Sequence, residues 1–137
     1  MIKAYFDGAC EPNEDGGTMC YGAIIYHHDK KIHEISHLYK SGDNIASNNI
    51  AEYCGCISVL RYLISREFIN HEVYIFGDSK MVIEQMRGAW GANQGKYIRY
   101  YEIATLLIAN RFERVPDFQW IPKERNIEAD RLSRRFL

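Results

Sequence analysis

The first thirteen residues, MIKAYFDGACEPN, restrict the fold more than any other stretch. Ile2, Ala4 and Phe6 alternate with Lys3, Tyr5 and Asp7, the period of a half-buried strand. Gly8 and then Pro12-Asn13 mark a turn after it. Asp7 is thereby placed at a strand end, beside a glycine that lets another group come close to the backbone. Asp is depleted from strands, so either a turn cap or a chemical duty accounts for it. Two more strand-like runs follow, residues 19–28 and 31–41, joined at Asp29-Lys30. Such short connections make the three runs an antiparallel meander.

Beyond the meander the period changes. Residues 41–49 are polar and turn-like, and Ser47 or Asn48 can cap a helix running to about residue 67. Tyr53, Ile57, Leu60 and Ile64 supply its apolar stripe, and Gly55 within it suits a close approach to a sheet. Residues 72–77 (EVYIFG) are a short apolar run that follows a helix, so they are expected to pair parallel to the first strand. Asp78 ends that strand, and a short helix starts at Ser79. A glycine-rich loop spans residues 88–95, and a helix over residues 96–111 carries Ile98, Tyr101, Thr105 and Ile108 at its periodic positions. Residues 118–121 form a last strand stopped by Pro122, and Asn126 is expected to cap a final helix over residues 127–137, which holds Glu128, Ala129, Asp130, Leu132 and Phe136. The order is that of an α/β layer fold: a five-stranded mixed sheet, three antiparallel strands and then parallel ones, flanked by helices. At 137 residues, with no repeat and no linker, the chain is expected to be one domain over residues 1–137.

No run reaches the length of a membrane span, and no signal-peptide core is present. Cys10, Cys20, Cys54 and Cys56 show no C-x-x-C spacing, so buried reduced thiols in a cytoplasmic protein are expected rather than a zinc or disulfide framework. The five histidines lack convincing ligand spacing and read as surface or hairpin residues. The net charge of −1 does not advertise a nucleic-acid partner, but if four carboxylates hold metal the remainder of the chain carries +3.

Three acids share a kind of position. Asp7 and Asp78 end strands, and Glu52 lies early in the first helix, where the helix dipole offers it a purely structural reason. Ligands of open α/β sheets collect beyond the carboxyl ends of parallel strands, so neighbouring first and fourth strands bring these acids together. Gathered carboxylates repel and take up protons unless a hard divalent cation sits among them.

The segments YFDGAC (5–10), SNNIAE (47–52), GDS (77–79) and NIEADRL (126–132) resemble the four signature segments of type 1 ribonuclease H, in that family's order and across nearly the whole chain. The resemblance implies the ribonuclease H fold and a site of Asp7, Glu52, Asp78 and Asp130 that serves both as metal ligands and as catalytic residues. It implies two Mg2+ ions, with Mn2+ as an alternative, cleaving the RNA strand of an RNA/DNA hybrid to leave 5′-phosphate and 3′-hydroxyl ends. Asp7 is then expected to bridge the ions, with Glu52 and Asp78 on one side and Asp130 on the other.

Positions matching the family's substrate contacts are Cys10 (through its backbone), Asn13, Ser47, Asn48 and Asn49, for which turn and cap roles are equally open readings. Lys80, Arg87, Lys96, Arg99, Lys123 and Arg125 are candidates for phosphates, with Trp90 or Tyr97 alongside; only two or three are expected to matter. The chain lacks the basic extension between helices that is usual in bacterial members of the family, and it lacks their histidine before the fourth acid. Lys123, Glu124 or Arg125 is expected to take over product release. Both departures resemble a compact archaeal-like subgroup. The expected protein is a monomer with no membrane partner. The rival readings are a module that binds nucleic acid without cutting it and a nuclease acting on double-stranded RNA. A proofreading exonuclease is disfavoured, since Ala9 stands where a second acid is needed.

Overall fold

A computed structural model describes residues Met1 to Leu137. The meander forms as expected: β1 (Ile2–Glu11) pairs antiparallel with β2 (Thr18–His27), and β2 with β3 (Lys30–Tyr39). The β2–β3 turn puts His28 and Asp29 at positive φ, which tightens the hairpin. The chain then crosses through α1 (Asn48–Ser65) to β4 (Val73–Gly77), which lies parallel to β1, and on through α2 (Lys80–Met86) and α3 (Ile98–Arg111) to β5 (Asp117–Trp120), parallel to β4. The sheet order is β3-β2-β1-β4-β5, and α4 (Ile127–Ser133) closes the chain after a 3-10 turn at Lys123–Arg125. Burying β1 and β4 within the sheet explains their apolar runs, whereas the edge strand β3 leaves Lys30, Lys31, His33 and His37 exposed, His33 stacking on Tyr62 of α1.

α1 and α3 cover one face of the sheet, and α4 crosses β1 and β2 on the other. The first half of α1 is buried on every side rather than along a stripe: Ile50 through Ile57 are all shielded. Tyr53, Ile57 and Leu60 are core residues, but Ile64 is only half-buried. Gly55 does permit close approach, since a Cβ there would stand 2.7 Å from the Asp7 carbonyl oxygen.

Several boundaries and roles differ from the sequence reading. β1 does not turn at Gly8 but continues to Glu11, because β2 supplies ladder partners all the way to Thr18. The buried positions of α3 are Tyr100 and Ala104, one residue before the expected Tyr101 and Thr105, since α3 packs mainly on α1, with Tyr100 also reaching Tyr39 of β3. The last helix stops at Ser133, and Phe136 is exposed beyond it. Asn126 makes no side-chain cap bond, for its amide is engaged across the sheet instead. The four cysteines are free and buried, and no helix is long and apolar enough to cross a membrane.

Candidate active site

The parallel ladder between β1 and β4 ends at Phe6 opposite Gly77. Asp7 and Asp78 are therefore the first residues beyond it on adjacent strands, although β1 itself runs on against β2. α1 reaches the same point because residue 8 is glycine: a Cβ there would lie 2.1 Å from the Ala51 carbonyl carbon and 2.3 Å from the Glu52 nitrogen. Any larger residue would push α1 off the strand and carry Glu52 away. Asp7, Glu52 and Asp78 each bring a carboxylate oxygen within 4.8 Å of the others. Asp130, from the start of α4, lines the same cleft with Gly8, Asn48, Lys123 and Arg134, but its oxygens lie outside that tight cluster.

The electrostatics of this cluster are unfavourable as it stands. Burial pushes the Asp7 carboxyl up to about 6; a proton donated by Glu52 pulls it down, and the Asp78 charge pushes it up. Burial, followed by the Asp7 charge, lifts Glu52 well above the usual carboxylate range. Burial also raises Asp78, against the hydrogen bond it accepts from Asn126. Glu52 is 8% exposed and its Oε2 is buried without a hydrogen-bond partner. Such an atom costs free energy unless something meets it. Three converging carboxylates, one of them with an unpartnered oxygen, supply the hard donors that fit a divalent cation. The early-helix dipole does not explain Glu52, since it is buried and lies beyond the first turn, which holds no acid.

The expected substrate contacts form a connected set. Ser47 caps α1 by accepting from the Ile50 amide. The exposed Asn48 accepts a hydrogen bond from the Cys10 amide at 2.8 Å, and its own amide donates to Asn13 Oδ1 at 2.8 Å. Asn48 is thus not the cap but the tie between β1 and α1; Cys10, whose amide is already taken, orients Asn48. Asn49 is exposed beside it. Of the six candidate bases, Lys123 alone lines the acid cleft. Lys80 sits 5.7 Å over the Trp120 ring, whose indole donates to the Asp78 carbonyl. Lys96 is bonded to Asp15 at 2.9 Å, Arg87 pairs with Glu84, and Arg99 is exposed. Arg125 lines a different cavity, with Lys3, Tyr5 and Tyr26, and is not among the residues of the acid cleft. Trp90 is exposed, and Tyr97 stacks on Tyr53, whose hydroxyl bonds Gln85. Gln85 in turn donates to Gly91 and Tyr97, fastening the short loop that stands in place of a basic extension.

Two residues of the site escaped the sequence reading. Asn126, 1% exposed, donates from Nδ2 to the Phe6 carbonyl and to Asp78 Oδ2, each at 2.9 Å, and so fixes the second strand-end acid to the first strand. Nothing local in the sequence signals a partner 120 residues away. Arg134 donates to Asp130 and to Glu11; its i, i+4 spacing from Asp130 was the available clue.

Residues 5–136 match the reverse transcriptase-like family. The bifunctional protein Rv2228c of Mycobacterium tuberculosis is 33% identical over 127 residues, 93% of this chain and 33% of that protein, so this chain spans about a third of that relative's length. The crystal structure of RNase H1 from Halobacterium salinarum NRC-1 superposes with a TM-score of 0.82 at 28% identity, covering 98% of this chain and 95% of the other. LC11-RNase H1, solved in complex with an RNA/DNA hybrid, superposes with a TM-score of 0.86 at 25% identity over 98% and 95% of the two chains.

Proposed function

Since the chain belongs to the type 1 ribonuclease H family, we propose that it is an endonuclease that hydrolyses the RNA strand of RNA/DNA hybrids, leaving 5′-phosphate and 3′-hydroxyl ends. The observation that carries this reading is the meeting of Asp7, Glu52 and Asp78 within 4.8 Å, with one oxygen of Glu52 buried and unpartnered. In this reading Asp7, Glu52, Asp78 and Asp130 hold two divalent ions, Mg2+ with Mn2+ as a substitute. Bound there, the ions supply an activated water and charge stabilisation for the departing oxygen.

The chain's own residues prepare that chemistry. The Gly8 amide holds Asp7 Oδ1 at 2.9 Å, and Asn126 holds Asp78, so two of the acids are oriented before anything binds. Asn13, Ser47, Asn48 and Asn49 present the polar floor on which the RNA strand's 2′-hydroxyls are read, and Cys10 steadies Asn48 beneath it. Lys123, and Lys80 further out, face the phosphates. No side-chain nucleophile is needed. The reading takes residues 1–137 as one domain acting as a monomer, in the cytoplasm in keeping with four free, buried thiols.

Incubation with labelled hybrid, double-stranded RNA and single-stranded RNA, each with Mg2+, Mn2+ or EDTA, tests the proposal. Cleavage of the hybrid's RNA strand is expected, abolished by EDTA and by Asp7→Asn. Cutting in EDTA, or full activity in Asp7→Asn, sinks it. Intact hybrid retained at every ion concentration assigns a binding module instead, and preference for double-stranded RNA reassigns the substrate.

A further inference from the structure

Asp130 is the one acid of the cleft held by a basic side chain. Arg134, one helical turn later at the end of α4, donates from Nε to Asp130 Oδ1 at 3.4 Å and from Nη1 to Glu11 Oε1 at 2.8 Å. Glu11 is the last residue of β1, four beyond Asp7. The guanidinium thus spans the cleft mouth from helix to strand, while the other three acids cluster without it. A cation approaching Asp130 competes with Arg134 for the same carboxylate. A guanidinium released from one carboxylate presents a planar fork that matches a phosphate. Its side chain is 46% exposed at the cleft mouth, held there by its pairs with Asp130 and Glu11.

We propose that Arg134 is a latch on the fourth acid: in the cation-free protein it ties Asp130 to Glu11, and on loading it passes from Asp130 to a phosphate of the substrate. The second half rests on the nuclease reading above; the first does not. The arrangement makes substrate and cation cooperate, because a phosphate that draws off the guanidinium frees Asp130 for the ion. Glu11 remains as the pivot that keeps Arg134 at the mouth.

The latch predicts opposite signs for two affinities. Titrating Mn2+ alone into the protein, Arg134→Ala is expected to bind it about threefold to tenfold more tightly, because a competitor for Asp130 is gone. The KM for an RNA/DNA hybrid with Mg2+, in the protein with all four acids intact, is expected to rise about fivefold in Arg134→Ala, with a shallower salt dependence. Arg134→Lys, which keeps the charge but not the fork, should recover the salt dependence and only part of the affinity. A merely structural arginine moves both affinities the same way, through stability. Unchanged or weaker Mn2+ binding in Arg134→Ala overturns the latch, and an unchanged KM for the hybrid overturns the transfer to phosphate. If the parent protein fails to cleave hybrid, the nuclease reading falls while the Mn2+ titration still decides the latch.

Discussion

At the scale of single residues the site is under electrostatic stress that folding tolerates. Burial raises Asp7 from the ordinary carboxylate value of 3.8 to about 6, and burial with the Asp7 charge raises Glu52 well above the ordinary carboxylate range. A carboxyl raised in the folded state binds its proton more tightly there than in the unfolded chain, so the folded state gains from it at low pH. For the metal-free protein that gain is complete below about pH 4 and is lost as pH rises through about 6 for Asp7, with the raised Glu52 adding a loss of the same sign. Melting in EDTA should therefore show a lower Tm at pH 7 than at pH 5; a rise over that interval contradicts the assignment. Asn126 is the other pivotal residue. Asn126→Ala leaves the Phe6 carbonyl and Asp78 without their donor in a buried setting, at a cost of about 2 kcal/mol, and hybrid cleavage should fall with it. Denaturant melting and a cleavage assay on the same variant check both effects.

At the scale of elements, two contacts bring α1 to the site. Gly8 lets the helix touch the strand, and the Asn48–Cys10 bond fixes its register against β1. Gly8→Ala forces backbone apart where no flexible side chain can yield, so a loss of about 3 kcal/mol is expected, at the upper end for overpacking. Ser47→Ala, which removes a cap alone, should cost about 1 kcal/mol. Asn48→Ala breaks the tie between β1 and α1, which predicts a loss of about 1 kcal/mol, together with weaker hybrid binding. Chemical denaturation of the three variants ranks them.

At the scale of the whole molecule, stability and chemistry oppose each other. The fold holds three carboxylates together that would separate if free, so a divalent cation should act as a stabilising ligand. Saturating Mg2+ is expected to raise the Tm at pH 7 and to do so less at pH 5, where protons already occupy the site. By the same logic Asp7→Asn, inactive in cleavage, should melt about 5 °C above the unaltered protein in EDTA and lose the Mg2+ effect. Calorimetry with and without Mg2+ separates these cases. A variant that melts lower in EDTA would mean that Asp7 supports the fold rather than straining it.

Periodicity alone was enough to place the elements, because the alternation of Ile2, Ala4 and Phe6 and the spacing of Tyr53, Ile57 and Leu60 record which faces must leave water. The same local patterns put Asp78 beyond a strand end and Glu52 early in a helix; Asp7 passes the end only of the parallel ladder with β4, since β1 runs on to Glu11, and Asp130 was legible only through a resemblance of motifs. Orientation was not legible. That Arg125 lines a different cavity while Lys123 lines the acid cleft depends on how a three-residue turn sits across the sheet. That Asn126 serves Asp78 instead of capping α4 depends on the Phe6 carbonyl 120 positions earlier. Local pattern determines that these segments each have an apolar face; only the tertiary structure decides how much of each helix is covered, as with Tyr100 and Ala104 in place of Tyr101 and Thr105, and which buried polar atoms find one another, since packing, hydrogen bonds and charges act through space.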